Sequence, residues 1–448
     1  EAVRSLTMFS EFVIAAPASG SGKTMIARGL MRALAQRGLR VQPYKCGPDY
    51  IDTKFHALAA HRPSVNLDCF MASAPHLKAL YAHYAQTADA CVVEGMMGLF
   101  DGYDRDRGSA AEIAELLQLP IVLVVNAQSA AYSTAALISG FLRFRPSLRF
   151  AGVLFNKVGS ARHFQMLQEA CADLNVPCLG YLPKDKQLEQ SSRYLGLDFS
   201  QEEAAETLDY LAHQLEAHVD IDRLLRLTEA KRPQDQDPFP AIKPLGWRIA
   251  VARNAESFTF IYSQHLDLLR RMGEVRFFDP EADEPLPPNT DLLYLPGGYP
   301  EQRAEQLSKA SRTIASIQSY IAQGGRALAE CGGMIYLTKG ILQAAEPRRI
   351  PMAGVIPCYI TTEAAKRKLS LGYRQFVYNG LTLRGHEFHY TQFAEEAPLP
   401  DSIAQVRNAK GEPTATPVFR LRNLIASYTH LYWGELDIVQ LFHIEKKA

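Results

Sequence analysis

Short, mostly apolar runs alternate along this chain with longer stretches in which apolar residues return every three or four positions. The runs predict strands at 12–16, 39–44, 90–94, 121–125, 151–155 and 177–182, and again at 247–251, 275–278, 291–295 and 326–330. The stretches between them predict helices, the first over 25–37 and stopped by Gly38. Strands alternating with helices, those at 121–125 and 151–155 without a charge, predict an α/β fold with doubly wound, mostly parallel sheets covered on both faces. The alternation breaks once, at 228–244, where four prolines stand among charges and amides. This divides the chain into a domain over 1–227, a linker over 228–245 and a second domain over 246–448.

Composition narrows the function classes. A chain of 448 residues, 47% hydrophobic and 21% charged, is too long for one ordinary core. Its formal net charge of zero gives no field to attract nucleic acid or membrane. No apolar run approaches the roughly 18–20 residues of a membrane span. Residues 1–10 lack the form of a signal peptide. Seven cysteines without a C-x-x-C pair make neither a disulfide framework nor a zinc site. A reducing cytoplasm is the expected setting.

The first predicted strand runs into Pro17-Ala18-Ser19-Gly20-Ser21-Gly22-Lys23-Thr24 and then directly into a helix. That is the form of a phosphate-binding loop: backbone N–H groups and a helix N-terminus cradle the anion, Lys23 reaches the β/γ-phosphates, and Thr24 can ligate Mg²⁺. Gly20, Ser21 and Gly22 supply the cradle. Pro17 departs from the general pattern, which has Gly there. Three further clusters sit at strand ends, where open α/β sheets place ligands. Lys45, Asp49 and Asp52 flank a Gly-Pro turn, whose acidic residues equally suit capping of the next helix. Glu94 closes an apolar strand and is a metal candidate. The glycine-punctuated loop after it carries Asp101, a metal or substrate-orienting candidate. Asn126 and Asn156 end the next two strands; Asn there can read a base edge or simply close the strand.

In the second half, 326–330 ends in Glu330-Cys331-Gly332-Gly333 and a helix follows. A thiol on a glycine-relieved strand-to-helix turn is a nucleophile elbow, and the helix N-terminus is expected to lower the thiol pKa. The N–H of Gly332, with one from Gly297-Gly298, can form an oxyanion hole. The base candidates are His386, His389, His430 and His443. His386 and His389 are three residues apart in a strand-like segment, which does not suit a zinc helix.

Taken in order, the segments 16–24, 45–52, 66–71, 94–102, 330–333, 384–390 and 427–433 resemble the cobyrinate a,c-diamide synthases: a dethiobiotin-synthetase-like ATPase domain fused to a class I glutamine amidotransferase-like domain. The resemblance covers nearly the whole chain. It implies ATP- and Mg²⁺-dependent amidation of the a and c acetates of a corrinoid ring, with glutamine as nitrogen donor. It implies Cys331 as nucleophile and His430 as its base. Lys23, Thr24 and Glu94 would serve phosphoryl transfer, Asn156 would contact adenine, and Lys45, Asp49 and Asp101 would line the phosphate and carboxylate site. Two positions depart from an ordinary class I glutaminase: Tyr432 stands where an acidic residue follows the histidine by two, and Ala329 replaces a glycine. Hydrogenobyrinate and nickel-sirohydrochlorin are alternative rings, and the later cobyrinate carboxylates are a more distant choice. A MinD/ParA-like switch is the alternative of another class; it would carry a second lysine early in the loop. Lys366, Arg367, Lys368, Arg374 and Arg384 are candidates to hold the ring's carboxylates. The oligomeric state is open, with a homodimer one option.

Overall fold

The computed structural model describes residues 7–194, 201–343, 348–363, 369–396 and 398–443. The chain separates into two units, Glu1–Pro238 and Phe239–Ala448.

The first unit is built on a sheet of β1 (Met8–Ala15), β2 (Val41–Cys46), β3 (Val65–Leu67), β4 (Ala90–Glu94), β5 (Ile121–Asn126), β6 (Phe150–Val158), β7 (Cys178–Pro183) and β8 (Glu229–Lys231). The order is β3-β2-β4-β1-β5-β6-β7, all parallel, with β8 antiparallel to β1. Successive side chains on a strand face opposite sides, and the core follows that rule. Val122 and Val124 pack with Phe12, Ile14 and the helices Lys23–Gln36 and Gln201–His218. Leu123 and Val125 pack with Ile138, Leu167 and Phe155 on the other side. Both faces are therefore covered, which is why these strands read as charge-free runs.

The start of the proline-rich stretch belongs to this unit. Glu229–Lys231 adds the antiparallel strand, Gln86 donates to the Pro233 carbonyl (2.8 Å), and His76 Nδ1 lies 2.9 Å from the Pro238 carbonyl. Proline lacks an N–H but keeps its carbonyl as an acceptor.

The second unit has a central sheet of β9 (Trp247–Ala252), β10 (Gly273–Phe278), β11 (Leu292–Leu295) and β12 (Arg326–Glu330), extended by strands from the chain's end. Between them lie β13 (Thr338–Gln343), β14 (Arg348–Pro351), β15 (Ile356–Thr361), β16 (Ser370–Tyr378), β17 (Leu381–His389) and β18 (Gln392–Phe393). The last three are β19 (Val418–Leu421), β20 (Leu424–Ser427) and β21 (His430–Tyr432). The central order is β10-β9-β11-β12-β20-β19, parallel except for β19. Two smaller sheets, β14-β13-β15-β18 and the antiparallel β16-β17-β21, stand beside it. Both units are α/β with mostly parallel central sheets; of the two small sheets only β17, which carries the strand-like segment of His386 and His389, was expected. No helix among the described residues is long and apolar enough to cross a membrane.

Candidate functional site

In the first unit β1 delivers the loop 16–22 to the helix Lys23–Gln36. Gly20 (φ 78°) and Gly22 (φ 94°) occupy the left-handed region, where a side chain would strain the backbone. Gly22 has a second constraint, since a Cβ there would collide with the Asn156 amide. Ser21 Oγ donates to the Ala18 carbonyl (2.8 Å) and Asn156 Nδ2 donates to the Ser21 carbonyl (3.2 Å). Asn156 thus braces the loop as well as lining its cleft.

That cleft has a volume of about 590 Å³, and Gly20, Gly22, Lys23, Thr24, Lys45, Asp49 and Asn156 line it. Its floor is a buried charge network set by sheet order. β2 lies beside β4, with Lys45 in register with Glu94. Lys45 Nζ lies 2.7 Å from Asp52 Oδ2 and 3.1 Å from Glu94 Oε2. It also donates to the Gly95 carbonyl (3.1 Å), which Lys23 Nζ shares at 2.8 Å. His56 Nε2 lies 3.0 Å from Glu94 Oε2, and Arg28 holds Asp52 Oδ1 at 2.6 Å.

Burial pushes the Lys23 ammonium below its ordinary value, with Lys45 adding repulsion. Burial opposes the Lys45 charge too, but Glu94, Asp52 and Asp49 outweigh it and hold Lys45 high. Glu94 is fully buried, yet Lys45, His56 and Lys23 overcome that penalty and hold its carboxyl well below the usual range. Asp49 is pushed up, by burial and then by Asp52. Its Oδ1 accepts from the N–H of Ile51 and Asp52, so it also starts the helix Asp52–Ala60.

Asp101 stands apart. Its carboxylate accepts the Gly98 N–H at 2.9 Å, and Met96 and Met97 line the cleft instead. The short side chain closes its own loop. Asp101 is not among the residues lining the cleft.

In the second unit β12 ends beside β20, with Glu330 in register with Ser427. Cys331 turns off that strand at φ 48°, ψ −107°, a strained elbow for a non-glycine residue. Its N–H donates to the Ser427 carbonyl (2.8 Å), and Sγ donates to the Phe388 carbonyl at 3.9 Å. Three glycines make room. The Gly332 Cα packs against the Gly298 backbone, Gly333 packs against Leu295, and the Gly297 Cα lies under the His430 imidazole. A Cβ at Gly297 would collide with His430 Cε1. His430 begins β21, whose next residue, Leu431, donates its N–H to Glu330 Oε2 at 2.6 Å. Glycine floor, elbow and base thus converge at one end of the sheet.

Electrostatics correct one expectation. Cys331 is not drawn toward thiolate: burial pushes it up, with Glu301 and then Glu387 and Glu330 adding to the effect. The helix after it, Gly332–Leu337, is too short and too close to these carboxylates to win. Burial, then His386 and His389, lowers His430 to about 3. Burial thus favours the neutral form of both the Cys331 thiol and the His430 imidazole. Arg374 corrects another. It was a candidate for the ring's carboxylates, but its Nε donates to Glu387 Oε2 at 2.7 Å, on a side chain only 13% exposed. Arg384 is exposed on β17, and Lys366, Arg367 and Lys368 lie outside the described residues. His386 and His389 alternate across β17, and both nitrogens of His389 are engaged, Nδ1 with the Thr391 carbonyl and Nε2 with Glu387.

Residues 12–196 match the profile of the CobQ/CobB/MinD/ParA nucleotide binding domain, and residues 248–437 that of the CobB/CobQ-like glutamine amidotransferase domain. Over 94% of its length the chain is 42% identical to the hydrogenobyrinate a,c-diamide synthase of Brucella abortus, covering 98% of that protein. It is 40% identical to that of Rhizobium meliloti and 41% identical to that of Rhodobacter capsulatus, with the same coverage of both chains. The chain belongs to the a,c-diamide synthase family. As a member of this family it is a glutamine-hydrolysing, amide-forming ligase of cobalamin biosynthesis, with a nucleotide-binding ATPase domain and a corrinoid and glutamine as small-molecule substrates.

Two residues of the buried charge network beneath this synthase's cleft escaped sequence reading. Arg28 stands alone in an otherwise apolar run on the helix Lys23–Gln36, and that isolation was its signal. His56 lies in the helix Asp52–Ala60 among polar and apolar residues alike and had none.

Proposed function

We propose that the chain amidates the a and c acetate carboxylates of hydrogenobyrinate at the expense of ATP. Cobyrinate, the ring first expected, is the second reading. The preference for the cobalt-free ring rests on the names of relatives 40–42% identical over 94% of the chain. The chemistry rests on one observation: the chain carries both a phosphate loop over buried lysines and a strained cysteine elbow beside a buried histidine.

A carboxylate is a poor acyl donor because oxide would have to leave. One ring carboxylate oxygen attacks the γ-phosphorus of ATP, ADP departs, and an acyl phosphate forms. Ammonia then attacks the acyl carbon and phosphate leaves. Gly20, Ser21, Gly22 and Lys23 hold the phosphates, and Lys45 and Asp49 border the place where the carboxylate meets them. Asn156 lies on the same wall, suited to the base. Glu94 Oε1 is buried and has no hydrogen-bond partner among the described residues. With Thr24 it fits a Mg²⁺ ion, a hard cation that takes oxygen ligands. When bound, Mg²⁺ neutralises phosphate charge.

In the second unit Cys331 attacks the glutamine carboxamide. His430 takes the thiol proton and returns it to the departing ammonia, and water hydrolyses the thioester to glutamate. The N–H groups of Gly297, Gly298 and Gly332 face the developing oxyanion. Burial favours the protonated thiol, so proton transfer to His430 accompanies the attack.

Cys331→Ala tests the division of labour. It is expected to abolish glutamine-driven amidation and spare amidation driven by free ammonia; loss of both refutes separate sites. Mass spectrometry with ATP, Mg²⁺, glutamine and each ring in turn identifies the substrate. Two amide additions on hydrogenobyrinate are expected, and additions confined to cobyrinate would reverse the choice.

A further inference from the structure

The chain lacks an acidic residue two positions after His430, so something else must hold the glutaminase pair in place. The segment Glu387-Phe388-His389 on β17 is a candidate that the reaction so far leaves unused. Glu387 and His389 point into the protein and are both nearly inaccessible, while Phe388 between them faces outward. Glu387 is fully committed: Oε1 to His389 Nε2 (2.7 Å), and Oε2 to Arg374 Nε (2.7 Å) and Thr416 Oγ1 (2.6 Å). Burial works against its charge, but these partners hold its carboxyl at about 2. His389 Nδ1 meets the Thr391 carbonyl at 2.7 Å, and its ring stacks on Tyr428 at 3.5 Å. Tyr428 OH and Thr391 Oγ1 bond to each other at 2.9 Å.

This clamp joins four pieces of chain: β16 through Arg374, β17, the segment before β19 through Thr416, and the residue after β20 through Tyr428. Both halves of the catalytic pair hang on it. The Phe388 carbonyl, between the two clamp residues, receives the Cys331 S–H. One residue before the clamp, His386 is in register with His430 on β21. Gly385 allows that pairing to be close, since a Cβ there would collide with the His430 backbone. A shift of β17 therefore moves the thiol's acceptor and the base together.

We propose that Glu387 and His389 are positioning residues for glutamine hydrolysis, clamping β17 so that Phe388 orients the Cys331 thiol and β21 presents His430 to it. The clamp does the work of the missing acidic residue through the backbone, without touching glutamine. The proposal rests on the glutaminase reading above.

The test uses full-length Glu387→Gln, Glu387→Asp and Thr416→Val. Each is assayed for glutamine hydrolysis, for ammonia-driven amidation, and for the rate at which 6-diazo-5-oxo-L-norleucine labels Cys331. A misplacement of about 1 Å costs about 100-fold in rate. Glu387→Gln should therefore lower the glutamine kcat by about 10- to 100-fold and slow labelling in step. KM for glutamine should stay within about twofold and ammonia-driven amidation should be unchanged, because the substrate contacts and the other site are intact. Glu387→Asp should recover part of the loss, and Thr416→Val, which removes one clamp bond, should show a smaller one. If Glu387→Gln does not fold, Thr416→Val decides alone. Wild-type kcat and labelling in the variants overturn the proposal, as does parallel loss of ammonia-driven amidation, which marks a merely structural role. A wild-type enzyme without glutaminase activity would overturn the underlying reading itself.

Discussion

Glu330 precedes the nucleophile and is 2% exposed. It accepts from Tyr294 OH at 2.5 Å and from the Leu431 N–H at 2.6 Å. Burial nevertheless outweighs both bonds and raises its carboxyl to about 8. The folded state thus binds this proton more tightly than the unfolded chain, whose glutamate titrates near 4.5. The stabilisation is full below about pH 4.5 and is lost as pH rises through 8. A span of about 3.5 units at 1.36 kcal/mol each makes about 5 kcal/mol in all, of which about 2 kcal/mol disappears between pH 6 and 8, where the acid is already half ionised. Glu330→Gln mimics the protonated acid: its amide can donate to Tyr294 and accept from Leu431. It should remove this slope while keeping the elbow. Both tryptophans, Trp247 and Trp433, lie in the second unit, so fluorescence during denaturant unfolding reports that unit. The gap between variant and wild type should widen in the variant's favour by about 2 kcal/mol from pH 6 to 8. Other titrating groups cancel in the difference. A gap that stays constant over that range would mean Glu330 is ionised in the fold, and the argument from burial would be refuted.

Two further outcomes are expected. Gly297→Ala puts a methyl group where His430 Cε1 sits, so glutamine hydrolysis should fall by about 100-fold with ammonia-driven amidation intact, measured by glutamate release. Lys23→Ala should abolish amidation from both nitrogen sources, because the phosphoryl step is common to them; surviving ammonia-driven product by mass spectrometry would remove Lys23 from that step.

Whatever is local was legible in the order of residues. The phosphate loop and the cysteine elbow are each a strand, a turn and a helix start in succession, so residue order alone fixes their form. Gly20 and Gly22 take the positive φ that the loop demands, and Cys331 sits at the strained turn that Gly332 and Gly333 make possible. The α/β class was legible for the same reason: strands buried on both faces read as short, mostly apolar runs.

Tertiary structure decided the partners. Lys45 meets Glu94 because β2 lies beside β4 across an intervening strand and helices, an order that periodicity does not encode. Asp101, on the loop after Glu94, caps the Gly98 N–H of its own loop. The cysteine's ionisation was misjudged because a helix end can be read from sequence whereas burial among Glu301, Glu387 and Glu330 cannot. The support of His430 was invisible for the same reason. Its acidic neighbour in sequence is replaced by Tyr432, and Glu387, held by Arg374, Thr416 and His389, comes from strands and segments that only the folded sheets bring together. Local conformation is set by neighbours along the chain. Charge pairing and desolvation are set by neighbours in space, and those exist only once the sheets have ordered.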